Sequence, residues 1–152
     1  GDGVRRDCFT KGVVVPTTMK YPELKLADLQ LDATLGTGSF GRVRLCKHKD
    51  GKHYALKILK KTEVLYLKQV EHVKTEKKIL EEIDHVNIVN MLGAFQDDKN
   101  LYLLLEYIIG GEFFSHLRKA GRFPNDTARY YAAQVTLVFQ YLHERTILYR
   151  DL

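Results

Sequence analysis

L-G-T-G-S-F-G-R-V, residues 35–43, decides how the rest of the chain is read. Gly36, Gly38 and Gly41 stand at G-x-G-x-x-G spacing, with Val43 two residues beyond the last. Such a run turns tightly and brings several backbone N–H donors close to phosphate oxygens, because no Cβ blocks the approach. In a dinucleotide-binding fold these glycines lead from a strand into a helix, and an acidic residue about 20 positions on holds a ribose. Here they lead into Arg42-Val43-Arg44-Leu45-Cys46-Lys47, which alternates with the period of a strand, and the later region holds Lys57. Residues 29–35, Leu-Gln-Leu-Asp-Ala-Thr-Leu, alternate too. The glycines therefore join two antiparallel strands, and the loop would fold over a ligand as a flap, a ligand-free hairpin end being the alternative.

A chain of 152 residues is enough for one ordinary domain. With 45% hydrophobic and 28% charged residues it has a globular composition. No apolar run approaches the roughly 20 residues of a membrane span. Residues 1–7 hold no signal-peptide core, and Arg5 stands where N-myristoylation requires Ser or Thr. The expected location is the cytoplasm, with the nucleus accessible. Cys8 and Cys46 have no metal or redox spacing, and the six histidines show no paired ligand spacing, so no metal site is expected in this stretch. The net charge of +5 is spread along the chain in short basic pairs broken by acids, the pattern of solvated faces. Neither a nucleic-acid nor a membrane partner is expected.

Residues 1–28 read as a tail or linker. Beyond the flap, Asp50-Gly51 suits a tight primed turn. A third strand at 53–59 places Tyr54, Leu56 and Ile58 on one face and Ala55, Lys57 and Leu59 on the other. A helix over 67–83 follows, with Val70, Val73, Leu80 and Ile83 on one stripe. Glu76 falls on that inward stripe, where a carboxylate needs a partner, and Lys57 is the natural one. Strands are expected at 88–95 and 101–105, joined by a turn at Asp97-Asp98-Lys99-Asn100. Gly110-Gly111 marks a hinge. A short helix at 112–120 turns Phe113, Phe114 and Leu117 inward and stops at Gly121. Asn125 or Asp126 caps a second helix running to about His143, apolar nearly all round; such a helix calls for burial on every side, nothing in the 152 residues is left to bury it, and it is expected to be exposed and sticky.

These residues resemble the AGC group of eukaryotic serine/threonine protein kinases. Gly36-Thr37-Gly38-Ser39-Phe40-Gly41-Arg42-Val43 fits the glycine-rich loop, and Tyr54-Ala55-Leu56-Lys57 the strand that carries the ATP lysine. Glu76 falls at the helix C glutamate, and Tyr149-Arg150-Asp151-Leu152 fits the start of the catalytic loop. The segments Leu67-Lys68-Gln69-Val70-Glu71-His72, Gly110-Gly111-Glu112-Phe113-Phe114-Ser115-His116-Leu117-Arg118 and Gly121-Arg122-Phe123 are similar to the cyclic-AMP-dependent branch. The cyclic-GMP-dependent branch is the alternative.

The resemblance implies an α+β, protein-kinase-like fold. A five-stranded antiparallel N-lobe sheet with helix C spans 29–106, and a hinge and the first helices (D and E) of an incomplete helical C-lobe span 107–152. It implies transfer of the ATP γ-phosphate to Ser or Thr in basic-context protein substrates. Leu35 and the loop residues Gly36, Thr37, Gly38, Ser39, Phe40 and Gly41 would cover ATP. Lys57 would hold its α- and β-phosphates, oriented by Glu76. Val43 and Ala55 would cap the adenine, beside Leu105 as gatekeeper, and Glu106 and Ile108 would bond its edge. Glu112 would reach the ribose and a basic substrate residue. Asp151 would orient the substrate hydroxyl and accept its proton. A cyclic-nucleotide-binding regulatory subunit is a candidate partner. The kinase pattern places its Mg2+ ligands, an Asn and the Asp of Asp-Phe-Gly, past Leu152, so the 152-residue chain alone is expected to be inactive. The alternative in a different class is a truncated, non-catalytic module that binds nucleotide or a partner.

Overall fold

The computed structural model describes residues 20–149, in two compact units. One holds 20–84 and 90–107, the other 85–89 and 108–149. The first is built on a five-stranded antiparallel sheet: β1 (Leu29–Gly38), β2 (Gly41–His48), β3 (His53–Lys60), β4 (Met91–Gln96) and β5 (Asn100–Glu106), in the spatial order β1-β2-β3-β5-β4. The expected five strands are all present, and β1 carries two register shifts between Leu31 and Gly36. Between β3 and β4 lie α1 (Lys61–Tyr66) and α2 (Val70–Glu82).

The period-2 pattern of β3 places two cores on opposite faces of the sheet. Tyr54 and Leu56 pack with Leu24, Leu29, Cys46, Tyr102 and Leu104 on one face, and Ile58 lies against them. Leu59 packs with Leu101 on the other, against Val64 of α1 and Val73 of α2. Residues 20–28 cross the first face. The Tyr21 N–H donates to the Leu92 carbonyl at 2.9 Å, and the Tyr21 and Tyr54 hydroxyls both donate to the Asp50 carboxylate.

The connections depart from the sequence expectation in instructive ways. The turn at Asp50-Gly51 is not a primed two-residue turn. Only Gly51 has positive φ, at +84°, its N–H donates to the His48 carbonyl, and the His48 N–H donates to the Lys52 carbonyl. That is a type I turn closed by a left-handed glycine, the three-residue alternative for a hairpin. The helix expected from residue 67 begins at Val70, because Lys68 takes a left-handed conformation (φ +54°) that ends α1 and separates it from α2. The strand expected from residue 88 begins at Met91, since residues 85–88 form a turn in which the Ile88 N–H donates to the His85 carbonyl. The turn at Asp97 is as expected, with its carboxylate accepting from the N–H groups of Lys99 and Asn100 at 2.8 and 2.6 Å.

In the second unit, α3 (Phe113–Ala120) and α4 (Asn125–Glu144) occupy the expected positions. Gly121 follows α3 with φ +72°. Neither Asn125 nor Asp126 caps α4: Pro124 does, by its carbonyl, which accepts from the Ala128 N–H at 2.9 Å. Its fixed φ suits a helix start without a side-chain acceptor. Phe113 and Phe114 are not inward; they are 48% and 54% exposed, while Leu117 is half-buried. Phe113 meets the rings of Phe123 and Tyr131 (centroids 5.5 and 4.8 Å), and Phe114 lies under the Arg118 guanidinium. On α4, Tyr130, Tyr131, Val135 and Leu137 are exposed. No helix among the described residues is long and apolar enough to cross a membrane.

Candidate functional site

The sheet register assembles the site in the first unit. Val43, Lys57 and Leu103 lie opposite one another across β2, β3 and β5. Leu45, Ala55, Leu105 and Met91 form the next row. Cross-strand partners share a face, so Val43, Ala55, Lys57 and Leu105 present one surface. It is the same surface as Leu59, hence the one on which α2 packs.

The Lys57 ammonium donates to the Glu76 carboxylate of α2 at 2.5 Å. The expected partnership is formed, but Glu76 is not a buried carboxylate. The side chains are 27% and 44% exposed. An ion pair this open to water contributes about 0–1 kcal/mol, too little for stability to be the reason these two residues meet. The buried acid of α2 is instead Glu81, five residues on, which pairs with Lys77. The sequence signal for that pair is its i,i+4 spacing on a helix.

The three loop glycines differ. At Gly36 and Gly38 a Cβ would meet nothing within 4 Å, so their backbone faces open space. Gly41 pairs with Leu59 of β3, and a Cβ there would stand 1.8 Å from the Ile58 carbonyl oxygen. Leu35, Thr37 and Ser39 are exposed along the same hairpin, and Phe40 is half-buried. At the end of β5, Glu106 is held by Asn90. The Glu106 N–H donates to the Asn90 carbonyl (3.1 Å), and the Asn90 N–H donates to the Glu106 carboxylate (3.0 Å). Asn90 is a site-supporting residue that no sequence signal singles out.

Of the expected site residues, the first unit brings together the loop, Val43, Ala55, Lys57, Glu76, Leu105 and Glu106. Ile108 and Glu112 belong to the second unit, Ile108 exposed and Glu112 directly before α3, its carbonyl accepting from the Ser115 N–H. Asp151 lies outside the described residues, as do Cys8 and Arg150. Among the described residues no three His, Cys, Asp or Glu side chains converge to hold a metal ion.

The sequence pattern of the protein kinase domain matches residues 29–152. The chain is 51% identical over 129 residues to a cAMP-dependent protein kinase catalytic subunit of Dictyostelium discoideum, covering 84% of this chain and 20% of that protein. It is 50% identical over 137 residues to cAMP-dependent protein kinase type 3 of Saccharomyces cerevisiae (90% and 34%). It is 44% identical over 132 residues to the human cAMP-dependent protein kinase catalytic subunit PRKX (86% and 37%). The chain thus spans between about a fifth and somewhat over a third of the length of these relatives.

Proposed function

The chain belongs to the protein kinase domain family, and from this we propose that it serves an ATP-dependent serine/threonine kinase of the AGC group, of the cAMP-dependent type. The observation that carries the reading is the Lys57–Glu76 contact on the sheet face shared with Val43, Ala55 and Leu105. The fit to ATP rests on that contact and on the open backbone at Gly36 and Gly38.

In this reading, the N–H groups of the loop lie over the phosphates, where glycine lets the main chain come close. Lys57 neutralises phosphate charge. Glu76 fixes the ammonium in place, so that little reorganisation is needed when charge develops. Val43 and Ala55 sandwich the adenine ring, Leu105 lies at its back, and Glu106 and Ile108 bond its edge through their main chain. Glu112 takes the ribose and a basic residue of the substrate. Asp151 accepts the proton of the attacking hydroxyl. Mg2+, when bound, would supply neutralisation of phosphate charge during transfer. Among the described residues no group of three His, Cys, Asp or Glu side chains could hold it. For the whole protein, the substrates proposed are Ser or Thr hydroxyls in basic sequence contexts, and the partner proposed is a cyclic-nucleotide-binding regulatory subunit.

The test is ATP binding by calorimetry. The parent chain is expected to bind, and Lys57→Met to bind at least about tenfold more weakly, the loss of one charge-assisted contact. Its thermal midpoint should stay close to the parent's, because the exposed pair contributes so little to folding. Equal affinity in the two chains would remove Lys57 from the site.

A further inference from the structure

We infer that Phe40 is a positioning residue that couples the glycine-rich loop to α2, the helix that carries Glu76; its functional meaning rests on the nucleotide reading above. The β1–β2 hairpin closes on the pair Gly38–Gly41, which leaves Ser39 and Phe40 as its two tip residues. Hairpin tips in water favour small polar residues and glycine. This tip carries a phenyl ring, and every residue from 32 to 39 is exposed while Phe40 is half-buried. Its ring packs against the cluster of Leu59, Val64, Val73 and Leu101, the cluster that Val70 also joins. Val70 and Val73 are both residues of α2, and Val73 lies one turn before Glu76.

Two main-chain contacts fix the ring in this seat. The Lys60 N–H donates to the Phe40 carbonyl at 2.8 Å. The next residue, Gly41, approaches β3 so closely that no side chain fits between them. The tip is therefore docked rather than free. Lys57 stands two residues before Leu59 on β3, and Glu76 three residues after Val73 on α2. The loop and the ion pair thus share one hydrophobic seat. A ligand that lifts or closes the loop moves the ring, and with it the packing that holds α2. The same coupling acts in reverse, since a free-energy link between two sites is reciprocal. It is carried by contiguous side chains, the kind of path through which packing transmits a shift.

Amide hydrogen exchange on the full chain without nucleotide reads both ends of this link. Phe40→Ala is expected to speed exchange at residues 73–80 of α2 at least about fivefold relative to β4 and β5. Val73→Ala is expected to speed exchange at the tip, residues 38–41, in return. Phe40→Leu, which keeps an apolar side chain, should restore most of the protection. Leu104→Ala, in the core of the opposite face, supplies the pattern of general destabilisation. If α2 in Phe40→Ala exchanges as in the parent, or if every element accelerates in the Leu104→Ala pattern, the coupling does not exist. Should Phe40→Ala fail to fold, the Val73→Ala arm decides alone by the same criterion. Coupling lost with ATP binding intact removes only the role of Phe40. Coupling present in a chain that binds no ATP removes only the nucleotide reading.

Discussion

Residue identity at the loop separates two uses of glycine that the spacing alone merges. Gly36 and Gly38 face open space, so a methyl group there costs the fold little. Gly41 is pressed against the Ile58 carbonyl, and a methyl group there forces β2 and β3 apart. Gly41→Ala is therefore expected to destabilise the chain by about 1–3 kcal/mol, the range of overpacking. Gly36→Ala and Gly38→Ala should stay within about 1 kcal/mol of the parent in urea unfolding. If the loop covers phosphates, those same two variants should still weaken ATP binding, because the methyl group stands where the phosphate must come. Stability lost equally at all three positions would mean that the loop is packed along its whole length. Lys57 and Glu76 make the complementary point: a close ion pair with little stabilising value is best explained by what else it can hold.

Elements with a clear period are legible in the sequence, and the places where legibility fails have physical causes. β3 is readable because alternation of Tyr54, Leu56 and Ile58 against Ala55, Lys57 and Leu59 leaves no other strand face to choose. The Lys57–Glu76 pair is readable for the same reason, as two charged residues on otherwise apolar stripes. The six residues of α1 are too few to show a helical period, and only Val64 of them is buried. Lys68 carries no turn signature, so its left-handed backbone, which sets where α2 begins, is invisible before the fold is known. The docking of Phe40 depends on a cluster drawn from β3, α1, α2 and β5, and no local window contains it. The exposure of Phe113 and Phe114 could not be read, because an apolar stripe on a short helix does not say what covers it, whereas the sticky apolar surface of α4 is legible as a helix with no polar face. Burial also ranks the elements by cost. Leu104 of β5 is fully buried, so Leu104→Ala should cost about 2–5 kcal/mol. Leu65 of α1 is 45% exposed, and Leu65→Ala should change stability by only about 0.5 kcal/mol. Paired denaturant curves of the two variants test this ranking, and equal losses would place α1 in the core.

At the scale of the whole molecule, the turns around the sheet set the response to acid. Three aspartates there are held below the ordinary carboxylate range. The Lys49 ammonium, with the Lys25 N–H, lowers Asp28. The Tyr21 hydroxyl is the largest influence lowering Asp50, with the Lys52 N–H and the Tyr54 hydroxyl adding to it against partial burial. Burial pushes Asp97 upward, but the Tyr102 hydroxyl and the N–H groups of Asn100 and Lys99 prevail. A carboxylate depressed in the folded state contributes stability above its unfolded value of about 4, and that stability is lost as pH falls through the folded value. The chain should therefore hold its stability down to about pH 4 and lose it steadily below. The positive charge grows from +5 over the same interval and adds self-repulsion. The alkaline limit follows from the opposite sign. Burial, with the neighbouring Tyr21 and Asp50, pushes Tyr54 up to about 12. A tyrosine raised in this way contributes stability present below about pH 10 and lost as pH rises toward 12. Asp50→Asn tests both limits, because Asp50 is the acceptor that joins Tyr21 and Tyr54. It should be less stable than the parent at pH 7, yet lose less of its remaining stability between pH 5 and pH 3. It should also lower the pH at which alkali unfolds the chain. Urea midpoints at pH 3, 5, 7 and 11 measure all three effects. Parallel acid profiles in the two chains would place the acid sensitivity at carboxylates other than Asp50.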